Sequence, residues 1–438
     1  MANRYWVGGT GTWDTTNTTN WSTTSGGAGG ASVPTASDVA FIDANSGGGT
    51  VTLAQDVTLI AAYFAGFTGT IDFASKTISI SGSNTTVITT GTITMTGNPH
   101  FILTYSGGTG TRTISTANSE ANAASFTIQA GSDIIASPSR ARNYIFNDAF
   151  TGSLNPNGGT FYGDVTFSAN MTIPGGSTFW AFGGASGTVN ITTKGVVFDR
   201  SAYFGGSSGS TVVVRFQDNF TQGLTRDFTT WNGTIDGNGK NISIGSFSML
   251  SGTKTLTLGS GTWSVAGNWD ANTNVTNLTV SASTGTISMT SASAKTFAGG
   301  AKTWPTLNQG GAGALTIQQS NTFTNITNTV QPATITLTSG TTQTVTSFGV
   351  SGTAGNLITL NSSSAGSQAT LSDSSGANSV SYTSIKDINA TGGATWNAFV
   401  TSGNVDDGNN TGWDFLVQTG RYMYNVRKAK RILQQGEV

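Results

Sequence analysis

The chain has 438 residues, with 60 Gly, 7 Pro, no Cys, 19 Lys and Arg against 20 Asp and Glu, and a formal charge of −1. Charged residues make up 9%, against roughly 25% in an ordinary soluble domain, which excludes a protein built from charged surface helices. Aromatic residues at 10% exclude a disordered chain, the lack of Cys excludes disulfides, thiol catalysis and Cys-ligated zinc, and no apolar run is long enough for a membrane helix.

In chain order, the opening Met1-Ala-Asn-Arg-Tyr-Trp-Val-Gly-Gly9 has no charged-then-apolar leader pattern. The expected location is therefore a cytoplasm, or release from one without secretion. Residues 1–48 read as an N-terminal capping module. They carry Trp6-Val-Gly-Gly-Thr-Gly-Thr-Trp13, Asn20-Trp21-Ser22 and Val33-Pro-Thr-Ala-Ser-Asp38. Three Trp in so short a stretch suit a cover over an open sheet edge, which would otherwise pair with other chains.

Residues 49–415 read as short strands between Gly, Ser, Asn and Thr. Thr50-Val-Thr-Leu53, Thr77-Ile-Ser-Ile80, Thr92-Ile-Thr-Met95, Val212-Val-Val-Arg215, Thr255-Leu-Thr-Leu258 and Thr334-Ile-Thr-Leu337 mostly alternate Thr or Ser with an aliphatic residue. That is the period-2 pattern of a half-buried strand. Three segments align at Gly69, Gly152 and Gly233, about 80 residues apart, with a weaker copy at Gly313-Ala-Leu-Thr-Ile. A shorter beat of about 22 residues links Ile335-Thr-Leu, Leu357-Ile-Thr-Leu and Val380-Ser-Tyr. Both spacings predict a solenoid with coils of roughly 20 residues, four to each longer unit. At ~4.8 Å per coil, about 18 coils would extend on the order of 90 Å. The competing layout is a string of β-sandwiches.

Residues 416–438 differ. Five basic groups (Arg421, Arg427, Lys428, Lys430, Arg431) face one acid, Glu437, so this tail is +4 and the 14 basic and 19 acidic groups before it make the body −5. Arg421 to Gln435 is expected to be a short α-helix, with Tyr422, Val426, Ala429 and Leu433 as one apolar stripe. Two roles are open to it: self-association through the stripe with Arg427, Lys428 and Arg431 beside it, or docking on an acidic surface. The acidic body is a poor binder of a phosphate backbone.

The opening motifs and the closing Gly403-Asn-Val-Asp-Asp-Gly-Asn-Asn-Thr-Gly-Trp413 resemble the ends of extracellular β-solenoid proteins, including bacterial adhesins and bacteriophage virion proteins. The resemblance covers residues 1 to about 416 and is weakly specific for function. It implies a right-handed parallel β-helix serving as a tail fibre, tailspike-like spike or capsid decoration of a bacteriophage particle. The expected partners are other virion proteins, copies of itself (a homotrimer by analogy with phage fibres) and host cell-surface polysaccharide. The alternatives are a polysaccharide depolymerase and a secreted adhesin. The basic tail departs from that pattern.

Candidate chemistry is sparse. His100 is the single histidine, so any Ser-His-Asp triad has to use it, and a multi-His metal site is excluded. Glu120 and Glu437 are the two glutamates, so a paired-carboxylate hydrolase has to draw on aspartates. Asp199, Asp218, Asp227 and Asp236 lie near Arg200, Arg215 and Arg226, and at one coil per ~20 residues Asp199, Asp218 and Asp236 could stand in register. The bland reading is that each carboxylate bonds its local turn. Asn404, Asp406, Asp407 and Asn409 have calcium-loop character without the spacing or closing Glu of an EF-hand. Gly8-Gly-Thr-Gly11 is not a nucleotide fingerprint. The Thr-rich strands drift too much for an ice-binding ladder. Tyr162, Trp180, Tyr203, Trp263 and Trp269 are candidates for stacking on sugars, against burial as the bland alternative. The expectation is a non-enzymatic protein without cofactor or metal.

Deleting Arg421–Val438 is expected to abolish assembly or docking while leaving the β-type circular dichroism unchanged. A full-length-like oligomer by light scattering after that deletion would contradict the helix assignment.

Overall fold

Thr and β-branched aliphatics in alternation fit the pleat, one face wet and one buried. The strands Thr50–Leu53 and Thr77–Ile80 show that alternation of half-exposed and buried positions, and Ala333–Leu337 does the same. The computed structural model describes residues 1–82, 87–89, 93–104, 111–116, 119–132, 134–136, 140–155 and 158–416. The expected C-terminal helix, with Tyr422, Val426, Arg427, Lys428, Ala429, Arg431 and Leu433, lies outside the described residues. Among those residues the regular structure is all-β apart from short 3₁₀ turns. The chain forms two compact units, Met1–Ala266 with Thr273–Gly285, and Gly267–Asn272 with Thr286–Val438.

The first unit is a parallel β-solenoid whose early coils have three strands each. Val39–Phe41, Thr50–Leu53 and Val57–Leu59 are overlaid in register by Ala61–Tyr63, Thr70–Asp72 and Thr77–Ile80. One ladder continues through eleven strands, from Val57–Leu59 to Leu278–Val280. Coil length varies: Phe126 lies beside Tyr144 but Val165 beside Ile191, a range of 18 to 26 residues. At the opening, Asn3–Trp6 pairs parallel with Val39–Phe41 and antiparallel with Trp21–Ser22. Trp6, Trp13 and Trp21 are fully buried, with edge-to-face centroid distances of 5.3 and 5.0 Å.

Stacking in register carries equivalent side chains over one another. Phe101, Phe126, Tyr144, Phe161, Phe182, Phe204, Phe228 and Phe247 therefore form a continuous aromatic spine, with successive centroids 4.0 to 6.1 Å apart. Such contacts add roughly 0.5–1.5 kcal/mol per pair beyond the area they bury. Corners are tied by side chains that pass hydrogen bonds from coil to coil. Asn219 Oδ1 accepts from Asn241 N, and Asn241 Oδ1 accepts from Thr262 N, each at 3.0 Å. Asn143, Asp164 and Asn190 form a similar series at 2.8 and 2.9 Å.

The second unit repeats the design. Leu315–Gln318, Ala333–Leu337, Ile358–Ser362 and Thr383–Lys386 form one parallel ladder. Thr306–Gln309, Thr322–Asn328, Thr342–Gly349, Ala369–Asp373 and Ile388–Gly392 form another. The 22-residue beat holds between Ile335 and Leu360, which pair directly. It slips at Val380, because Thr383–Lys386 continues that ladder instead. The 80-residue alignment does not mark an equivalent place in the solenoid. Its first three copies lie in Thr70–Asp72, Ser153–Leu154 and Gly233–Asp236, on three different ladders. What recurs between the first and third copies is a strand, a tight turn and a second strand, used at different corners.

Lys295 is 3% exposed and its Nζ donates to the carbonyls of Gly313, Ser291 and Gly311 at 2.6, 3.0 and 3.4 Å. Burial pushes its ammonium down to about 8, well under the ordinary lysine value of about 10.4. Between pH 8 and 10 the unfolded chain then holds a proton that the folded chain has released, so stability rises with pH there. The expected slope from this group is about 1 kcal/mol per pH unit. Urea midpoints at pH 7.5 and 9.5 check it: Lys295→Met is expected to lose that rise relative to wild type.

Candidate functional site

The strongest concavity lies on the outer face of the first unit and follows from register. Phe161, Phe182 and Phe204 point inward as part of the spine and are fully buried. Their neighbours on either side along each strand therefore point outward. One outward row is Arg140, Thr160, Ala181 and Tyr203, which are ladder partners in succession. The second row is Tyr162, Gly183, Gly205 and Trp231. Its backbone amides donate in turn to the carbonyls of Ala141, Phe161, Phe182 and Phe204 at 2.8 to 2.9 Å. Large side chains at Tyr162 and Trp231 thus stand three rungs apart, about 14 Å along the solenoid, with two glycines between them.

The result is a cavity of about 310 Å³ lined by Tyr162, Trp231, Arg140, Glu120, Ser207 and the Gly183/Gly205 floor, with Thr160 and Ala181 also facing it. That volume is at the small end for a ligand site. Gly205 has φ +113°, and a Cβ there would meet the Asn232 carbonyl at 2.4 Å. No other residue type fits this position without moving the next coil. Behind it, Gly206 and Asn232 form an antiparallel bridge, and Ser210 Oγ donates to Gly184 O at 2.6 Å.

Glu120 opens the short 3₁₀ turn Glu120–Asn122. Its carboxylate accepts the Ala185 amide through both oxygens, at 2.8 and 3.1 Å, while Arg142 Nη2 donates to its backbone carbonyl at 2.8 Å. A carboxylate has about four lone-pair sites, so one backbone donor leaves acceptor capacity toward the cavity. Burial raises the Tyr162 phenol above its usual range, with Arg140 opposing and Glu120 reinforcing the shift. The phenol is therefore a neutral donor at physiological pH. Tyr203 adjoins the same face, stacked on Phe179 at 4.9 Å.

Of the five aromatics singled out for sugar stacking, Trp180, Trp263 and Trp269 are core residues with 0–1% exposure. Tyr162 and Tyr203 face outward. Trp231, Glu120 and Arg140 were not anticipated as one site. Their signal is a register of 21, 22 and 26 residues, legible only once each coil's length is known.

The aspartates do not stand in register. Asp236 lies in the rung of Arg215 and is salt-bridged to it at 2.8 Å. Asp218 accepts Thr193 N, Thr193 Oγ1 and Lys194 N on the coil before. Asp199 binds Arg226 Nε at 2.7 Å, and that guanidinium holds its carboxyl below the usual range. Arg200 is committed to Pro174 O, Thr178 Oγ1 and Asn155 Oδ1. The amide of Asp227 is donated to Ser201 Oγ. His100 Nε2 lies 2.9 Å from Thr127 Oγ1, and burial lowers its pKa.

Asn404, Asp406, Asp407 and Asn409 bond to Thr383 N, Gly408 N, Ser384 and Asp387 respectively. These are turn and inter-coil contacts. No cluster of three or more His, Cys, Asp or Glu able to hold a metal occurs among the described residues. Compared with protein-family models, curated proteins and solved structures, the chain finds no match.

Asp218→Ala is expected to lower stability by about 1–2 kcal/mol, because two backbone amides and a hydroxyl lose their acceptor. Urea unfolding measures this, and an unchanged midpoint would contradict the turn role.

Proposed function

We propose that the chain is a non-enzymatic structural protein of a bacteriophage particle, a fibre, spike or decoration element that projects from the virion and contacts the host surface. The observation that carries this reading is the stacked, in-register β-solenoid itself. Its coils are joined by backbone ladders, an aromatic spine and corner amides, using a chain that contains no Cys. Such a body suits an extended surface element that must hold its form outside a cell. The motifs that resemble virion β-solenoids are built into it: Trp6, Trp13 and Trp21 pack at the opening coils, and Trp413 packs on Trp396 at 5.2 Å. The non-enzymatic reading is supported by the cavity's acid content. Glycoside hydrolysis needs a pair of carboxyls, and Glu120 is the one carboxylate among the described residues lining the cavity. Assembly as a homotrimer through the apolar stripe at Tyr422, Val426, Ala429 and Leu433 belongs to the same proposal.

Antibody-gold electron microscopy on the source lysate tests it. Gold on particles is the expected outcome, and its position assigns head or tail. Gold on cell envelopes with bare particles would replace the proposal with a secreted adhesin.

A further inference from the structure

We infer that the cavity between Tyr162 and Trp231 is a saccharide-binding site, taking a short stretch of a surface polysaccharide. The inference rests on the proposed host-contacting role only for the source of the ligand; the site itself is argued from its chemistry.

Saccharides are amphipathic: their ring C–H faces pack on aromatic rings, while their hydroxyls need both donors and acceptors around the rim. The cavity supplies each part. Tyr162 and Trp231 bound it along the solenoid axis, and aromatic faces contribute most at such partly desolvated sites. Ala181, Gly183 and Gly205 keep the floor flat and shallow, so a ring can approach the backbone closely.

The rim is mixed in sign. Glu120 accepts, and its carboxylate is held in place by Ala185 N–H. The Arg140 guanidinium, the Tyr162 phenol, Thr160 Oγ1 and Ser207 Oγ donate. This combination argues against a phosphate ligand. The backbone amides of Tyr162, Gly183, Gly205 and Trp231 are already spent on the ladder, and a carboxylate faces the space. It equally argues against an apolar peptide, which would leave Glu120 and Arg140 desolvated without partners.

The geometry also separates binding from folding. The residues that would meet a ligand are on the outward rows, and the spine residues Phe161, Phe182 and Phe204 lie behind them.

The test is a glycan array of bacterial O-antigen and capsular oligosaccharides, probed with the full chain, followed by fluorescence titration of the bound glycans. Binding of a subset is expected, with a change in Trp emission. Tyr162→Ala and Trp231→Ala are each expected to weaken binding by about tenfold or more. Arg140→Ala, an exposed position whose loss leaves the spine intact, is expected to weaken it as well and covers the case in which an aromatic variant fails to fold. Tyr63→Ala, in the separate stacked row of Tyr5, Phe41 and Tyr63, is expected to bind like wild type. A silent array, or binding that survives in all folded Tyr162, Trp231 and Arg140 variants, overturns the inference. Gold on particles with a silent array removes the saccharide site and leaves the virion role. Site-dependent binding with gold on cell envelopes does the reverse.

Discussion

Parallel stacking in register is the constraint from which the rest of this protein follows. Strands sit ~4.8 Å apart, so each side chain has its counterparts on the coils before and after as nearest neighbours. Residue types that tolerate their own kind at that distance are favoured. Aromatic rings stack, which gives the spine from Phe101 to Phe247. Amides both donate and accept, so Asn219, Asn241 and Thr262 can hand a hydrogen bond along one corner. Repeated like charges would repel, which accounts for a composition with 9% charged residues. Where a charge is buried, as at Lys295, it replaces several amides at once by collecting three carbonyls.

The same constraint explains what could be read before the fold was known. Alternating Thr and aliphatic residues announce half-buried strands, and the positions of Thr50–Leu53, Thr77–Ile80 and Ala333–Leu337 follow directly. Coil length was legible only on average. Coils of 18 and of 26 residues stack equally well, because turns at the corners absorb insertions without disturbing the ladder. An alignment of similar strings therefore finds similar strand-turn-strand units without finding equivalent coil positions. This is why the copies at Gly69, Gly152 and Gly233 fall on different ladders, and why the projected register of Asp199, Asp218 and Asp236 dissolves.

Side-chain direction was the other illegible quantity. Trp180 and Trp263 look like Tyr162 and Tyr203 in local composition, yet the first pair is buried and the second faces out. Burial flips with a single step along a strand, so an error of one residue in register exchanges core for surface. The aspartates show the reverse case: the local reading, a carboxylate bonding a turn, needed no register and agrees with Asp218 on Thr193 and Lys194.

A concavity on a solenoid face is harder to build than a ridge, because an isolated small residue is spanned by its larger neighbours one rung away. The depression here needs small residues on adjacent rungs and in adjacent rows, as Ala181, Gly183 and Gly205 provide. It also needs a wall that does not belong to the ladder, which Glu120 supplies through a contact 65 residues along the chain at Ala185. Packing of the spine requires neither feature. Phe182 and Phe204 would stack as well behind an outward Thr as behind a Gly. The glycine at 205, in a backbone conformation that side chains rarely adopt, sits where the next coil's Asn232 carbonyl leaves no space for a Cβ. The open floor between Tyr162 and Trp231 is thus a property of how two coils are joined. The groups around its rim can vary to suit a ligand without altering that join.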